Sequence, residues 1–313
     1  MNILRRKSLL FGISAILFLS ACKKHDVTPE PVVPPEPIAA PPAFGFYVVG
    51  YFPSYRDPAT VPDVKFRMCN VVNYAFANVN ASGGFTISDP ARLAVVAAKA
   101  KANNAKVMLS FSGSHNDFKT FTANAALRTS FIKQVMNTIR QYALNGVDMD
   151  WEYPTTSDGT DAGYTALMKE LSDSCHRGAR YYLTAAITPG KYAGGARDAI
   201  RSELFGYLDW FNIMAYDDFS TSTPYRHHSD YTLAQTALNY WVGTRGMPAT
   251  KAVLGLPGYG RPSGITQSGT VLSYNSILSQ GGNPLLDSAT VTAGGFNNYT
   301  IYYNGQYTVK RKT

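Results

Sequence analysis

Between Asn145 and Tyr153 the chain reads Asn-Gly-Val-Asp-Met-Asp-Trp-Glu-Tyr, with an acid at every second position between large apolar residues. Successive side chains point to opposite faces of a β-strand. A strand over Val147–Glu152 therefore sets Asp148, Asp150 and Glu152 on one face and Val147, Met149 and Trp151 on the other. The apolar face suits a layer of helices. The acidic face makes a poor core, because carboxyls so close together cannot all stay ionised once desolvated. A solvated edge strand does not alternate acids with Met and Trp either. Such a row marks a place where chemistry uses perturbed carboxyls.

Around this stretch, apolar, β-branched or aromatic runs occur at Phe46–Phe52, Asn70–Asn78, Lys106–Ser112, Tyr182–Thr188, Leu208–Tyr216 and Ala252–Leu256. Segments with helical spacing lie between most of them: Asp89–Asn103, Asn124–Leu144, Ala162–Arg177 and Leu233–Thr244. Seven strands alternating with helices over residues 44–313 predict an α/β domain with parallel pairing. At this length a (β/α)8 TIM barrel is favoured over an open sheet. No Gly-x-Gly-x-x-Gly or phosphate loop follows a strand, which argues against nucleotide binding. The formal charge of +8 includes Arg5, Arg6, Lys7, Lys23 and Lys24, all outside that domain. The remaining cations form no basic stripe, so no nucleic-acid partner is expected. Cys69 and Cys175 are expected to be free and packed. His227-His228 has no acid or cysteine at ligand spacing and is expected to be solvated; neither a metal nor a cofactor is predicted.

Residues 1–22 have the form of a targeting segment, with Arg5, Arg6 and Lys7 before an apolar run from Ser8 to Phe18. That run is short of the roughly 20 apolar residues a bilayer span needs. With Leu19-Ser20-Ala21 before Cys22, it resembles a bacterial lipoprotein signal, which implies cleavage before Cys22 and lipidation of that cysteine. Residues 23–43 are rich in Pro and Val without periodicity and predict an extended tether. The expected location is the cell envelope, lipid-anchored outside the cytoplasm at the outer membrane or cell surface.

Barrel enzymes carry their chemistry at the C-terminal ends of the strands. Tyr51 closes the first predicted strand, Phe76 the second, Ser110 and Ser112 the third, and Asp150 and Glu152 the fourth. Met214, Tyr216 and Asp217 close the sixth, with Tyr259 and Arg261 just past the seventh. A rim of aromatics and Met around acids suits the apolar faces and hydroxyls of a sugar. Glu152 lies furthest along its strand and is the candidate general acid, and afterwards general base on water. Asp148 and Asp150 lie deeper, where burial and mutual repulsion are expected to raise at least one pKa and hold Glu152 in its acid form. His115, after the third strand, is a candidate substrate contact.

These residues resemble glycoside hydrolase family 18, the chitinase-like family, over Phe46 to Lys312. Asn145 to Glu152 follows its D-x-x-D-x-D-x-E signature, and Met214-Ala215-Tyr216-Asp217 reproduces its M-x-Y-D. Ser110-Phe111-Ser112-Gly113 approximates S-x-G-G, and Gly255 to Arg261 resembles the end of the seventh strand. Three positions depart: Asn145 stands for Asp, Ser112 for Gly, and Ser114 where many processive chitinases carry Trp. Asn145 is expected to accept a hydrogen bond in the turn before the strand.

The resemblance implies a substrate-assisted, retaining mechanism in which the 2-acetamido oxygen attacks the anomeric carbon. It further implies that Asp150 orients the acetamido group and that Tyr216 donates a hydrogen bond to its oxygen. Asp148, with Tyr51 and Ser110, would hold the alternative hydrogen bonds of Asp150. Met214 and Asp217 would wall the reacting-sugar subsite, with Phe76, Tyr259 and Arg261 lining it. The implied activity is endo-hydrolysis of β-1,4-linked N-acetylglucosamine in chitin or its oligomers. The alternatives are an endo-β-N-acetylglucosaminidase acting on the chitobiose core of N-glycans and a non-catalytic glycan-binding lectin. Gly264–Asn304 is expected to be the family's variable seventh loop, and no stretch is identified as the eighth strand, so the barrel is expected to be incomplete at its C-terminus. If any segment closes it, Tyr299–Tyr303 is the candidate.

Overall fold

The computed structural model describes residues 44–178, 181–219, 226–262, 271–293 and 296–305. The expected signal, tether and Cys22 lie outside the described residues. Eight strands form the first sheet: β1 (Val49–Pro53), β2 (Val71–Val79), β3 (Phe85–Ile87), β4 (Lys106–Ser112), β5 (Gly146–Met149), β6 (Tyr182–Ile187), β7 (Trp210–Ile213) and β8 (Ala252–Leu254). Seven of them run parallel in the order β1-β2-β4-β5-β6-β7-β8, while β3 folds back antiparallel on β2. This is the sheet of a (β/α)8 barrel, and its eighth parallel strand is not among the described residues.

Helices cross between the strands, and their starts are written in the sequence. Asp89 accepts the Arg92 N–H ahead of Pro90–Ala102, Asn124 accepts from Ala126 and Leu127 ahead of Ala125–Gln141, and Asp230 accepts from Leu233 ahead of Tyr231–Leu238. Each cap satisfies an N–H that the helix itself cannot. The helix Thr160–Cys175 buries Tyr164, Leu167, Met168 and Leu171 against the sheet. A further helix, His115–Thr122, was not foreseen; Ser114 caps it and Phe118 and Phe121 anchor it. The apolar face of the acid row meets this layer as expected: Trp151 is buried and stacks on Phe118 at 4.7 Å. Both described cysteines are free.

Two expectations are corrected. The acid-bearing strand ends at Met149, not Glu152, because after the Asp150 N–H bonds to the Phe111 carbonyl at 2.8 Å the chain leaves the ladder. Gly264–Asn304 is not simply loop. Together with β9 (Tyr259–Pro262), its described parts form a second, antiparallel sheet with β10 (Leu272–Ser273), β11 (Ser288–Ala293) and β12 (Phe296–Tyr302), ordered β10-β9-β12-β11. Val291, Ile301 and Tyr303 pack with Ile277 into a small separate core. The surrounding Gly, Ser and Asn diluted that alternation in the sequence. β12, which contains most of the candidate closing segment, pairs with β9 and β11 and does not enter the barrel sheet. A cavity of about 950 Å³ lies at the seam between β8 and the residues preceding β1, lined by Phe46, Tyr47, Asn70, Val253 and Leu254. It opens at the N-terminal ends of the strands, away from the acids.

Candidate active site

Gly146 starts β5 because a β-carbon there would stand 2.2 Å from the Tyr182 carbonyl oxygen. Just before it, the Asn145 side chain accepts the Val107 N–H at 2.9 Å, as expected of the turn, and stitches β5 to β4. Two residues further on, Asp148 is completely buried and takes four hydrogen bonds. Its Oδ2 accepts from the Tyr51 hydroxyl at 2.8 Å and the Ser110 hydroxyl at 2.7 Å. Its Oδ1 accepts from Thr184 at 2.6 Å and Asn212 at 3.0 Å. Burial pushes its pKa up, and these four donors pull against that rise. Asn212 is itself oriented by the Trp210 indole N–H at 3.1 Å and also donates to the Tyr51 oxygen at 3.1 Å. Although 38% of Tyr51 is exposed, its hydroxyl end is enclosed, and burial beside Asp148 and Asp150 keeps it protonated. Asn73, the strand neighbour of Tyr51, is fully buried, and its side-chain amide has no hydrogen-bonding partner among the described residues.

Asp150 differs in kind. Its Oδ1 is buried without a hydrogen-bonding partner among the described residues. Burial, then the charges of Asp148 and Glu152, lift its pKa well above the ordinary carboxylate range. The expected shared proton is thus favoured on Asp150. Tyr51 and Ser110, expected with Asp148 to hold the alternative hydrogen bonds of Asp150, both donate to Asp148: Ser110 from β4, the neighbour of β5, and Tyr51 from β1, which is not adjacent to β5 in the sheet. Glu152 is exposed, past the end of β5.

Across the rim, Tyr216 is held far above the usual tyrosine range by burial and by Tyr259, Asp150 and Glu152, so its hydroxyl remains a donor. Gly255 lets it approach: a β-carbon there would stand 2.8 Å from its ring and 2.7 Å from the Ile213 carbonyl oxygen. Met214 is buried at the end of β7, and Phe76 is half-buried where the β2–β4 register shifts. Tyr259 and Arg261 belong to β9 of the second sheet, and both bind Asp217. Arg261 grips it through Nε at 2.7 Å and Nη2 at 2.9 Å, and the Tyr259 hydroxyl donates at 3.0 Å. Burial alone would raise the Asp217 pKa, but contacts with His228, Arg261 and Tyr259 hold it below the usual range. Neighbouring Asp218 is bound by Lys191, by the Tyr192 hydroxyl at 2.6 Å and by Arg226 at 2.8 Å. Neither carboxylate is free to act as a nucleophile, whereas Glu152 is open to solvent and Asp150 is poised to hold a proton.

Sequence reasoning missed Thr184, Asn212 and His228. The first two interrupt otherwise apolar strands, and that signal was available. His228, expected in solvent, is completely buried, stacked on Tyr259 and on His227, with Nδ1 3.3 Å from the Asp217 backbone nitrogen. His227 is packed too, with Nε2 donating to the Tyr303 carbonyl at 2.7 Å, and burial lowers its pKa. Among the described residues no cluster of metal-ligating side chains occurs.

The model of one protein family, Glycosyl hydrolases family 18, matches residues 47–312. The chain is 28% identical over 270 residues to probable chitinase 10 of Drosophila melanogaster, covering 74% of this chain and 12% of that protein. It is 29% identical to a probable endochitinase of Caenorhabditis elegans, covering 74% of this chain and 42% of the relative. The chain thus spans less than half the length of these relatives. In fold it is similar to a mutant GH18 chitinase from Cycas revoluta, crystallised in complex with (GlcNAc)4, with a TM-score of 0.68 at 21% identity over 82% of this chain and 87% of that one.

Proposed function

The chain belongs to glycosyl hydrolases family 18, and on that premise we propose that it is an endo-acting hydrolase of β-1,4-linked N-acetylglucosamine in chitin or its oligomers, with a substrate-assisted, retaining mechanism. The observation that carries this reading is the division of labour within the acid row. Asp148 is saturated by four donors, Asp150 is buried with an unpaired oxygen and a raised pKa, and Glu152 is exposed. Glu152 protonates the glycosidic oxygen as the bond to the anomeric carbon breaks. The acetamido oxygen attacks that carbon, with Asp150 orienting the amide N–H and Tyr216 donating to the amide oxygen. Water, deprotonated by Glu152, then opens the cyclic intermediate and restores the starting configuration. An internal nucleophile suits a site whose other rim carboxylates are occupied, and well-oriented intramolecular attack reaches effective molarities of about 10⁵–10⁸ M. Met214 and Asp217 wall the reacting-sugar subsite, and Phe76, Tyr259 and Arg261 complete its lining. The (GlcNAc)4 bound to the Cycas revoluta chitinase supports this substrate class.

The deciding experiment incubates the protein with N-acetylglucosamine oligomers, with their deacetylated counterparts and with a high-mannose glycoprotein, and reads products by mass. Cleavage of acetylated oligomers alone is expected. Glycoprotein deglycosylation without oligomer cleavage would assign an endo-β-N-acetylglucosaminidase, binding without cleavage a lectin, and cleavage of glucosamine oligomers a different mechanism. We also propose that Cys22 is lipidated and anchors the protein outside the cytoplasm, a reading supported by the basic residues, short apolar run and small residues before it.

A further inference from the structure

Glu152 lies beyond the last ladder residue of β5, exposed, so the sheet does not hold it. General acid catalysis nevertheless requires its carboxyl within about 2.6–3.2 Å of the glycosidic oxygen. The residues on either side of it both meet one side chain. His115, the first residue of the helix His115–Thr122, places Nδ1 3.1 Å from the Tyr153 carbonyl oxygen and 3.4 Å from the Trp151 indole nitrogen. Its other nitrogen, Nε2, lies 2.8 Å from Asp158 Oδ2. Asp158 is a fixed anchor: it also accepts from Lys119 at 3.1 Å and from the Thr160 hydroxyl at 2.8 Å, and the His115 contact first among these keeps its carboxyl ionised.

We propose that His115 is a positioning residue that clamps the backbone carrying Glu152, tying Trp151 and Tyr153 to Asp158. Nδ1 binds a flank of Glu152 in either form, donating to the Tyr153 carbonyl when it carries a proton and accepting from the Trp151 N–H when it does not. The ring also meets Trp151 in a tilted contact, centroids 5.7 Å apart, while Phe118 stacks on the same indole at 4.7 Å. His115 hydrogen-bonds to none of Asp148, Asp150 and Tyr216. Loosening it therefore misplaces the acid while leaving the residues assigned to sugar binding in place, and misplacement by about 1 Å costs on the order of 10²-fold in rate.

The inference rests on the chitooligosaccharide reading for its kinetic consequence but not for the clamp itself, so two readouts are used. His115→Phe keeps a ring against Trp151 and loses all three polar contacts. His115→Gln reaches Asp158 alone. His115→Asn can present an N–H or an oxygen where Nδ1 stood. On N-acetylglucosamine oligomers, kcat is expected to fall ~10–100-fold in His115→Phe and His115→Gln with KM within about twofold, and by a smaller ~3–10-fold in His115→Asn, which keeps the contact at Nδ1 but loses Asp158. Amide exchange over residues 150–156 is expected to quicken in the first two variants and less in the third, with melting temperatures nearly unchanged. Unchanged exchange in His115→Phe, or a raised KM at constant kcat, overturns the proposal. A wild type without turnover strikes the chitooligosaccharide reading, and exchange then decides the clamp alone.

Discussion

At the residue scale, the three acids of the row differ because their surroundings differ: Asp148 lies within β5, and Asp150 and Glu152 lie past its end. Glu152→Gln keeps shape and polarity but has no acidic proton to transfer, so kcat on N-acetylglucosamine oligomers is expected to drop by about 10²–10⁴ with oligosaccharide affinity nearly unchanged. Turnover within about threefold of wild type would remove Glu152 from the acid role. Asp150 makes a prediction about stability. Its folded-state pKa is raised, so the folded state favours the protonated form. Its contribution is full below the unfolded range near about 3.9 and is lost as pH rises through the folded pKa. Asp148 shifts in the same direction and Asp217 in the opposite one, its stabilisation being lost only as pH falls through a depressed pKa. Asp150→Asn should therefore raise the melting temperature at neutral pH and flatten its decline between mildly acidic and neutral pH. A wild-type melting curve indifferent to pH over that interval would contradict the buried-acid account.

At the element scale, strand positions are set by close backbone approach as much as by apolar patterning. Gly146→Ala would press a β-carbon into the Tyr182 backbone between β5 and β6, where nothing flexible yields. A loss of at least ~2–3 kcal/mol is expected, read by chemical denaturation. At Gly255 the added carbon meets the Ile213 carbonyl and the Tyr216 ring, so a smaller loss of ~1–2 kcal/mol should come with lowered kcat as that tyrosine shifts. Gly206 has open space around its β-position and no positive φ, so Gly206→Ala serves as the neutral control. Strand existence was legible for the seven parallel strands described and helix starts for most of the helices between them, since caps and periodicity are local. Strand ends were not: Leu208–Tyr216 contracts to Trp210–Ile213, because pairing stops where the neighbouring strand runs out.

For the molecule as a whole, the second sheet is joined to the barrel through Asp217, which follows β7 and is gripped by Arg261 and Tyr259 of β9. Among the described residues β1 and β8 each pair on one side only. Exposed strand edges template association. Sedimentation velocity of this chain is therefore expected to show self-association that grows with concentration, and a strictly monomeric boundary would mean that the edges are covered. Anchoring gives a separate test. Cys22→Ala is expected to move the protein from the membrane fraction to the soluble one or to leave an uncut precursor, because stable anchoring takes two or more acyl chains on a processed N-terminus. Mass spectrometry finding an unmodified Cys22 in the mature protein would end the lipoprotein reading.

What the sequence determined by itself was everything of short period: the alternation that sets the acids of the row on one side and Trp151 on the other, the strand–helix succession that implies a barrel, and the family signature. These follow from covalent geometry within a few residues. Only the tertiary structure decided which carboxyl is saturated and which is left wanting. Thr184 and Asn212 reach Asp148 from 36 and 64 residues away, and Arg261 reaches Asp217 across 44. Such partners are chosen by the register carried from strand to strand around the parallel sheet and by the docking of a second sheet. Neither leaves a local trace, because a hydrogen bond between distant strands depends on where the chain returns and not on the residues beside it.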